Sequence, residues 1–395
     1  MKLYRNLAEA VVQSLQLIIE ENKYADKVIE KVLKSNPKWG ARDRRFIAET
    51  TYDIVRWYRL YKRIGSAQHL EYWKFLAVWC WMNSIPLPNW SEFEEINVDA
   101  YEQAQHEIKG IRKLEQSIPD WLDELGEKEL GNKWERELAA LNDEASVVLR
   151  ANTLKITQHD LQKILFDDGI ETLTLDGFND ALILETRQNV FIHPSFKEGL
   201  FEVQDGASQL IAPFMQVQPG MRVVDACAGA GGKTLHLSAL MQNKGKIIAM
   251  DTEDWKLDEL KKRARRAGAM NIETRKVESS KSIKRLAKSA DRVLLDVPCS
   301  GLGVLKRNPD AKWKLTLEFI EKVKELQTKI LDDYSIMVKP GGFLIYSTCS
   351  LLASENEDQV KNFLQRQAGF KFIEEKRIWP SDGFDGFYMA CLQKL

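Results

Sequence analysis

Apolar residues in the first third of the chain recur at the spacing of amphipathic helices. Leu7, Val11 and Leu15 fall on one face of a predicted helix, with polar residues between them. A longer pattern over residues 41–64 predicts a further helix that carries arginines on its outer face. We expect residues 1–142 to form an all-helical domain, because this spacing persists to about that point.

The pattern changes near residue 143 to a mixture of short strands and helix. The run VVLRA predicts a strand, residues 158–168 predict an amphipathic helix, and further strands are predicted at 181–184 and 199–203. The sequence shows no linker between this part and the one that follows. Residues 143–215 are therefore predicted to be a small α+β extension of the next domain.

From residue 216 to residue 395, short apolar runs alternate with helical spacing, which is typical of a doubly wound, largely parallel α/β sheet. The predicted strands are RVVDA, KIIAMD, IETRKV, DRVLLD and GGFLIYST, followed by FKFIEE and GFYMACLQK as an antiparallel edge. Ligands bind to such sheets beyond the carboxyl ends of the strands. We expect the functional site at that edge.

The strongest local signal is the stretch MRVVDACAGAGGKT at residues 221–234. Its pattern predicts an apolar strand that ends at Asp225, a glycine turn and the first turn of a helix. Glycine in such a turn lets backbone N–H groups approach a bound ligand where a Cβ atom would collide. The next predicted strand ends at Asp251, a carboxylate placed to accept hydrogen bonds from a ribose diol.

Two common glycine-loop templates do not fit this stretch. A phosphate-binding P-loop needs glycine where Cys227 stands, and the dinucleotide fingerprint needs its third glycine where Thr234 stands. A ligand that contains adenosine but has no long phosphate tail fits better, and S-adenosylmethionine is the leading candidate. The alternative is an ordinary tight turn in an α/β core.

The formal net charge is −1, which argues against a protein that coats nucleic acid non-specifically. The charge is unevenly distributed, however. Residues 254–290 contain twelve Lys or Arg against five acids, whereas acids dominate residues 91–144. A local basic face of this kind can still bind a polyanion.

The five cysteines are scattered, form no CxxC pair and do not complete a zinc-binding spacing with the five histidines. We expect reduced thiols, no metal ion and a cytoplasmic location. The N-terminal stretch lacks the apolar core of a signal peptide, and the most apolar run, residues 75–82, is too short to span a bilayer. No membrane association is expected.

Two of the cysteines follow strands that are predicted to be neighbours, at the edge where the ligand is expected. Cys299 lies in LLDVPCSG and Cys349 lies in IYSTCS. A single buried cysteine is usually a small apolar residue, and a disulfide is disfavoured in a reducing compartment. Two thiols beside a methyl donor instead suggest methylation of cytosine C5. Attack of a thiolate on C6 makes C5 nucleophilic, and an acid such as Asp296 can meet the charge that develops at N3.

These motifs resemble the RNA cytosine-5 methyltransferases of the RsmB/Nol1/Nop2 group. The matching stretches run in the family's order over about residues 146–395 and are RANTLK, VQDGAS, DACAGAGGKT, DVPCSG, KRNPD, STCS with the following ENE, and DGFYMA. The resemblance implies a class I methyltransferase fold, which is a Rossmann-like doubly wound sheet, with S-adenosylmethionine as cofactor. It also implies an RNA substrate, with 16S rRNA as the first candidate.

The resemblance assigns roles to the candidate site residues. Cys349 is the implied nucleophile that bonds to cytosine C6, Cys299 the implied release residue and Asp296 the implied cytosine contact. The implied cofactor-binding residues are Ala226, Cys227, Ala228, Gly229, Gly231, Gly232, Lys233, Asp251, Glu278 and Asp296. The implied RNA-binding residues are Arg150, Asn152, Lys155, Gln204, Asp205, Lys306 and Arg307.

The helical domain resembles the NusB-type RNA-binding domain of the RsmB enzymes, mainly through ARDRRFIAE and YDIVR. That likeness favours small-subunit rRNA over tRNA, and a monomer is expected. The alternatives are a tRNA cytosine-5 methyltransferase, a non-catalytic RNA-binding assembly factor and an amino-methyltransferase. The last of these would need an Asn/Asp-Pro-Pro-aromatic strand end where this chain has DVPC.

Overall fold

The computed structural model describes residues 2–68 and 71–395, which divide into two compact units. The first unit consists of Met1–Asp143 and Leu305–Thr316, and the second of Glu144–Val304 and Leu317–Leu395. Within the described residues, no helix combines the length and the apolar character that crossing a membrane requires.

The first unit is built from helices, as the apolar spacing predicts. Those that precede residue 143 are α1 Arg5–Ile19, α2 Ala25–Ser35, α3 Ala41–Arg56, α4 Tyr58–Ile64, α5 Tyr72–Met82, α6 Asp99–Ile108, α7 Arg112–Glu115, α8 Asp120–Leu130 and α9 Trp134–Leu141. Leu7, Val11 and Leu15 are buried on α1 and join the core of this unit. The apolar run at residues 75–82 lies in α5, where Phe75 is fully buried in the same core.

The single helix predicted over residues 41–64 is broken at Trp57, whose backbone (φ −101°, ψ 22°) leaves the helical region. The break is stabilised by Ser117, a residue far along the chain. Its hydroxyl oxygen accepts hydrogen bonds from the amides of Arg59 (3.0 Å) and Leu60 (3.3 Å), donors in the first turn of α4 that have no acceptor within the helix. The prediction was wrong here because the capping group comes from a different segment.

The second unit begins with a small antiparallel sheet. Its strands are β1 Val148–Ala151, β2 Thr172–Thr174, β3 Ala181–Leu184 and β4 Phe201–Val203, in the order β2-β3-β1-β4. Three of these strands were predicted, whereas β2 was missed because it is short and mostly exposed. The predicted helix is confirmed as α10, Gln158–Asp167. It follows Thr157, whose Oγ1 accepts a hydrogen bond from the amide of Asp160 (3.1 Å).

The larger sheet of this unit confirms the predicted doubly wound arrangement. Its strands are β5 Arg222–Asp225, β6 Lys246–Asp251, β7 Ile272–Lys276, β8 Ala290–Asp296, β9 Val338–Thr348, β10 Phe370–Ile378 and β11 Phe387–Lys394. The strand order is β10-β11-β9-β8-β5-β6-β7. From β9 to β7 the neighbours are parallel, whereas β11 is antiparallel to both β9 and β10, as expected for the closing edge.

Helices cover both faces of the larger sheet. The remaining helices, in chain order, are α11 Pro194–Lys197, α12 Gly206–Phe214, α13 Gly232–Leu240, α14 Asp254–Ala267, α15 Ser280–Lys284, α16 Ala311–Lys314, α17 Leu317–Tyr334 and α18 Glu357–Arg366. Val223 packs with Leu237 of α13, and the next residue, Val224, packs in a separate core with Leu331 of α17. Successive side chains of a strand point to opposite faces, so both faces of β5 are buried.

Residues Leu305–Thr316, which include α16, pack with the first unit. Trp313 donates from Nε1 to the carbonyl oxygen of Val55 (2.7 Å), and Asp310 accepts from the amide of Ala25 (3.1 Å). The sequence predicts instead that this segment belongs to a continuous catalytic domain. The difference arises because one indole and a few polar contacts hold the segment, and such contacts leave no periodic signal.

Candidate active site

Reactive residues gather at the carboxyl ends of the parallel strands, the edge that the sequence predicts. Asp225, Asp251 and Asp296 are the last residues of β5, β6 and β8. In the register of β8 and β9, Asp296 lies opposite Ser347. Cys299 lies three residues after Asp296 and Cys349 two residues after Ser347, which brings both thiols to the same edge of the sheet.

The turn between β5 and α13 owes its shape to two glycines in the left-handed region, Gly229 (φ 53°) and Gly231 (φ 88°). A Cβ atom on Gly231 would lie 2.5 Å from Cγ of Leu260, so the turn packs closely against α14. The amide of Gly229 donates a hydrogen bond to Oδ2 of Asp251 (2.9 Å), which links the turn to the end of β6. We call residues 226–233 the glycine loop.

A cavity of about 310 Å³ opens beside the glycine loop, a size within the range of small-molecule sites. Its wall is formed by Val203, Gln204, Ser208, Asp225, Cys227, Ala228, Gly229, Ala230, Gly231, Gly232, Lys233, Arg263 and Asp296. Seven of the ten predicted cofactor-binding residues therefore lie in this wall, together with side chains from the α+β extension that the sequence did not associate with the cofactor.

The other three predicted cofactor residues, Ala226, Asp251 and Glu278, are not part of the cavity wall. Ala226 is buried, and Asp251 accepts a second hydrogen bond, at Oδ1, from the amide of Glu253 (2.9 Å). Glu278 is exposed, two residues beyond the end of β7. In the part of the chain that the structure describes, no group of three or more His, Cys, Asp or Glu side chains is arranged to hold a metal ion.

The hydrogen bonding of the Asp225 carboxylate indicates which chemical group a ligand in the cavity should carry. Its Oδ2 accepts a hydrogen bond from Oγ1 of Thr234 (2.7 Å), but its buried Oδ1 has no hydrogen-bond partner among the described residues. Burial raises the pKa of Asp225 to about 7, although the hydrogen bond from Thr234 opposes the rise. A buried carboxylate oxygen of this kind suits a ligand that carries an ammonium group. The amino group of S-adenosylmethionine fits this requirement.

The Sγ atoms of Cys299 and Cys349 lie 3.2 Å apart, although 50 residues separate them in the chain. Both are half-buried free thiols. The hydrogen bond with Cys349, together with burial, raises the pKa of Cys299 well above its usual value. Because the two sulfurs share one hydrogen bond, a proton can remain between them while one of the two acts as a nucleophile.

Asp296 lies between a cation and a hydroxyl group. Lys233 donates from Nζ to Oδ2 (2.6 Å), and Ser347 donates from Oγ to Oδ1 (2.9 Å). Burial lowers the pKa of Lys233, but the interactions of its ammonium group with Asp296 and Cys349 have a larger effect in the opposite direction. The pKa of Lys233 is therefore raised. Lys233 therefore stays protonated and provides a positive charge to the carboxylate and to a thiolate at Cys349.

A buried glutamate, Glu355, holds the two cysteine loops together. Its carboxylate accepts hydrogen bonds from the amide of Ser300 (2.8 Å), from the hydroxyls of Ser300 and Ser350, and from Nε2 of Gln327 (2.9 Å). Ser300 directly follows Cys299, and Ser350 directly follows Cys349. The sequence offered only the ENE motif as a signal for Glu355, and it offered none for Gln327.

Three predicted RNA contacts are buried instead, which corrects those predictions. Arg150 is 2% exposed and donates from Nη1 to the carbonyl oxygen of Gly232 (2.8 Å). Asn152 donates from Nδ2 to the carbonyl oxygens of Gly199 (2.8 Å) and Ala267 (2.7 Å). The third residue, Lys306, is 5% exposed within the first unit. Side chains in these positions are not accessible to an RNA backbone.

The other predicted RNA contacts are placed differently. Lys155 donates from Nζ to the carbonyl oxygens of Glu198 (2.6 Å) and Arg266 (2.7 Å), so its ammonium group is engaged by the protein. Asp205 caps α12 by accepting from the amide of Ala207 (2.8 Å). Gln204 lines the cavity beside the glycine loop. Arg307 is half-buried and stays a predicted RNA contact.

Known proteins are similar to this chain over most of its length. The family model of the 16S rRNA methyltransferase RsmB/F matches residues 212–393, and the model of the ferredoxin-like domain of such enzymes matches residues 118–191. The probable ribosomal RNA small subunit methyltransferase B of Synechocystis sp. is 31% identical over 96% of this chain and 91% of that protein. The ribosomal RNA small subunit methyltransferase B of Vibrio cholerae is 34% identical over 70% of this chain and 65% of that protein.

Solved structures agree with these relatives. The crystal structure of PH0851 covers 100% of both chains with a TM-score of 0.85 and 25% identity. A methyltransferase homolog protein from Pyrococcus horikoshii covers 72% of this chain and 98% of its own, with a TM-score of 0.64 and 27% identity. The motifs, the fold and the relatives agree: the chain belongs to the RsmB/F family of 16S rRNA methyltransferases.

Proposed function

We propose that this protein transfers a methyl group from S-adenosylmethionine to C5 of a cytosine in 16S rRNA. The observation that carries the proposal is the pair of thiols, Cys299 and Cys349, with Sγ atoms 3.2 Å apart. Asp296, three residues before the first of them, lines the cavity beside the glycine loop. Membership of the RsmB/F family supports both the cofactor and the class of RNA.

Cys349 is the proposed nucleophile. Its thiolate forms a bond to C6 of a cytosine that has been taken out of any base stack, and the electron pair of the C5–C6 double bond becomes available at C5. The resemblance of the STCS motif to the RNA cytosine-5 methyltransferases supports this choice over Cys299. The protonated Lys233, whose own pKa is raised in part by Cys349, also favours a negative charge on that thiol.

Asp296 and Lys233 are the proposed contacts to the pyrimidine ring. Addition to C6 places negative charge on N3, which an acidic proton must meet. Lys233 donates from Nζ to Oδ2 of Asp296 (2.6 Å), and Ser347 fixes the other carboxylate oxygen. The ammonium group of Lys233 supplies the acidic proton of the pair, and the carboxylate of Asp296 orients it.

S-adenosylmethionine, when bound, supplies the electrophilic methyl group for C5. A base then removes the C5 proton, the C5–C6 double bond re-forms, and the bond from C6 to Cys349 breaks so that the sulfur recovers its electron pair. Cys299 is the proposed release residue. Its raised pKa keeps a proton on its sulfur. That sulfur lies 3.2 Å from Sγ of Cys349, close enough to donate a hydrogen bond to the departing thiolate.

Other parts of the proposal rest on the sequence. The NusB-like character of the helical unit, a monomeric state and a cytoplasmic location stay predictions. With Arg150, Asn152 and Lys306 buried, the basic stretch at residues 254–290 and Arg307 are the remaining candidates for contacts to the RNA backbone.

Trapping of the covalent intermediate tests the mechanism. Full-length Cys299→Ala and Cys349→Ala proteins are incubated with S-adenosylmethionine and small-subunit rRNA that lacks its methyl groups, then separated on a denaturing gel. We expect a nuclease-sensitive adduct of higher mass with Cys299→Ala and none with Cys349→Ala. Cys391→Ala, which removes a buried thiol on β11, is the matched control and should methylate RNA as the unaltered protein does.

The opposite pattern would assign the nucleophile to Cys299. Absence of any adduct and of methyl transfer, while the donor still binds, would favour a non-catalytic RNA-binding assembly factor. Transfer of a labelled methyl group to tRNA but not to rRNA would replace the proposed substrate.

A further inference from the structure

We propose that Arg150 and Arg263 are positioning residues for the glycine loop. The α+β extension completes the cofactor site through Arg150 and through Glu202, which accepts a hydrogen bond from Arg263 on α14. The inference rests on the cofactor of the proposed function and is independent of the RNA substrate. It also gives Arg150, whose burial removes it from contact with RNA, a role in the same enzyme.

Two guanidinium groups bind the glycine loop through its carbonyl oxygens. Arg150 donates from Nη1 to the oxygen of Gly232 (2.8 Å), and Arg263 donates from Nη1 to the oxygen of Ala230 (2.9 Å). These acceptors stand on either side of Gly231, the residue with φ 88°. Because a peptide group is planar, a fixed carbonyl also fixes the direction of the N–H on the following residue. The two arginines therefore set the course of the loop backbone along the cavity.

The extension also contributes to the wall of the cavity. Gln204, which follows β4, accepts a hydrogen bond from Nη1 of Arg150 and donates from Nε2 to Oγ of Ser208 (3.0 Å). Both Gln204 and Ser208 line the cavity. A Cβ atom on Gly232 would lie 3.8 Å from Nη2 of Arg263 and 3.9 Å from Nε2 of Gln204, so both side chains flank the loop at this residue.

The charges show why these arginines tolerate burial. Glu202 on β4 is 3% exposed and accepts hydrogen bonds from Arg263 (2.9 Å) and Arg266 (2.5 Å). Burial lowers the pKa of Arg150 to about 10, which still leaves the guanidinium charged at neutral pH. A buried charge is costly unless hydrogen bonds compensate it, and here carbonyl oxygens of the loop supply part of that compensation. Loop and extension therefore stabilise each other.

Substitution by lysine tests the role, because a single ammonium group cannot reproduce the forked geometry of arginine. For Arg150→Lys and Arg263→Lys we expect the dissociation constant of S-adenosylhomocysteine, measured by calorimetry without RNA, to rise about 10-fold, the effect of one lost charged hydrogen bond. The KM for S-adenosylmethionine should rise by a similar factor, while kcat changes less than about threefold.

Arg292→Lys is the matched control. Arg292 is also buried and also donates to backbone carbonyl oxygens, those of Met215 (2.8 Å) and Gln216 (3.4 Å), at a position outside the glycine loop. Its replacement should lower the melting temperature by a similar amount and leave the dissociation constant within about twofold of the original.

Unchanged affinity in folded Arg150→Lys and Arg263→Lys proteins would overturn the inference. So would an equal loss of affinity in Arg292→Lys, because that result would trace the effect to general stability. Arg263 keeps 18% of its side chain exposed, so Arg263→Lys decides the question if Arg150→Lys does not fold. Since binding is measured without RNA, a wrong assignment of the RNA substrate would not alter these outcomes.

Discussion

The amide of Gly303 donates a hydrogen bond of 2.8 Å to the carbonyl oxygen of Cys349. The carbonyl oxygen of Gly303 in turn accepts one from the amide of Gly386, also at 2.8 Å. A Cβ atom at position 303 would lie 2.2 Å from the oxygen of Gly386 and 2.8 Å from that of Cys349, distances that real side chains do not occupy. The loops that carry the two cysteines therefore meet at a point where only glycine fits.

Gly303→Ala should move the Cys349 backbone away from Cys299 and lower kcat for methyl transfer by about 100-fold, as expected for a displacement of about 1 Å in a catalytic group. Single-turnover transfer of labelled methyl measures this. Gly369→Ala is the control, since a Cβ atom there has no atom within 4 Å among the described residues. Equal rates for the two variants would contradict the prediction.

Glu355→Gln should destabilise the protein by about 2–3 kcal/mol and slow methyl transfer, because the carboxamide turns an N–H₂ group toward donors. The carboxylate accepts from Ser300, Ser350 and Gln327, and a glutamine side chain cannot accept all of these bonds. Urea unfolding measures the loss. Glu325→Gln on the exposed face of α17 should stay within about 0.5 kcal/mol of the original.

Titration of Asp225 should lower the stability of the cofactor-free protein as the pH rises from about 4 to about 7. Burial raises the folded-state pKa of Asp225 to about 7, whereas an unfolded aspartate titrates near 3.9, so between these values the folded state binds more protons. The loss of unfolding free energy from Asp225 is complete above pH 7. It amounts to about 4 kcal/mol, from about 3 pH units at 1.36 kcal/mol each.

Asp225→Asn keeps the shape of the side chain and removes this titration. The free energy of unfolding is measured for the original protein and for the variant at pH 5 and at pH 8. The stability of the variant relative to the original should be higher at pH 8 than at pH 5. A difference that does not change with pH would show that Asp225 titrates outside this range.

Trp313→Ala should destabilise the first unit by roughly 2–3 kcal/mol, because the indole packs on its core and donates to the carbonyl oxygen of Val55. Trp255→Ala is the matched control, since that indole is 66% exposed and its loss should cost less than about 0.5 kcal/mol. Urea unfolding monitored by circular dichroism compares the two. Equal losses would show that Trp313 does not contribute to this unit.

The sequence predicts the catalytic edge well because its chemistry is local. Strand, glycine turn and helix are consecutive, and Cys299 and Cys349 each lie within three residues of the end of a strand, so the rule for carboxyl ends of parallel strands brings them together. The hydrogen bond from Gly229 of the glycine loop to Asp251 follows from the same rule, whereas a ribose is the partner that the sequence suggests.

The role of buried polar side chains could not be predicted in this way. Arg150 and Asn152 are residue types that bind RNA when exposed, and only their distant partners, Gly232 and Ala267, show that they bind backbone carbonyl oxygens instead. The helix break at Trp57 depends likewise on Ser117. Sequence patterns report burial of apolar faces and leave such long-range polar pairing undetermined.

The discontinuity of the helical unit sets the order of events during synthesis on the ribosome. Trp313 leaves the ribosome 170 residues after Asp143, which at about 5–20 residues per second is a delay of roughly 9–34 s. Until then the nascent helices lack the indole that packs on their core and the carboxylate of Asp310 that accepts from Ala25. The unit that is translated first is therefore completed only after both β5 and β8 have been made, and a chain cut at residue 143 would expose apolar surface to chaperones and proteases.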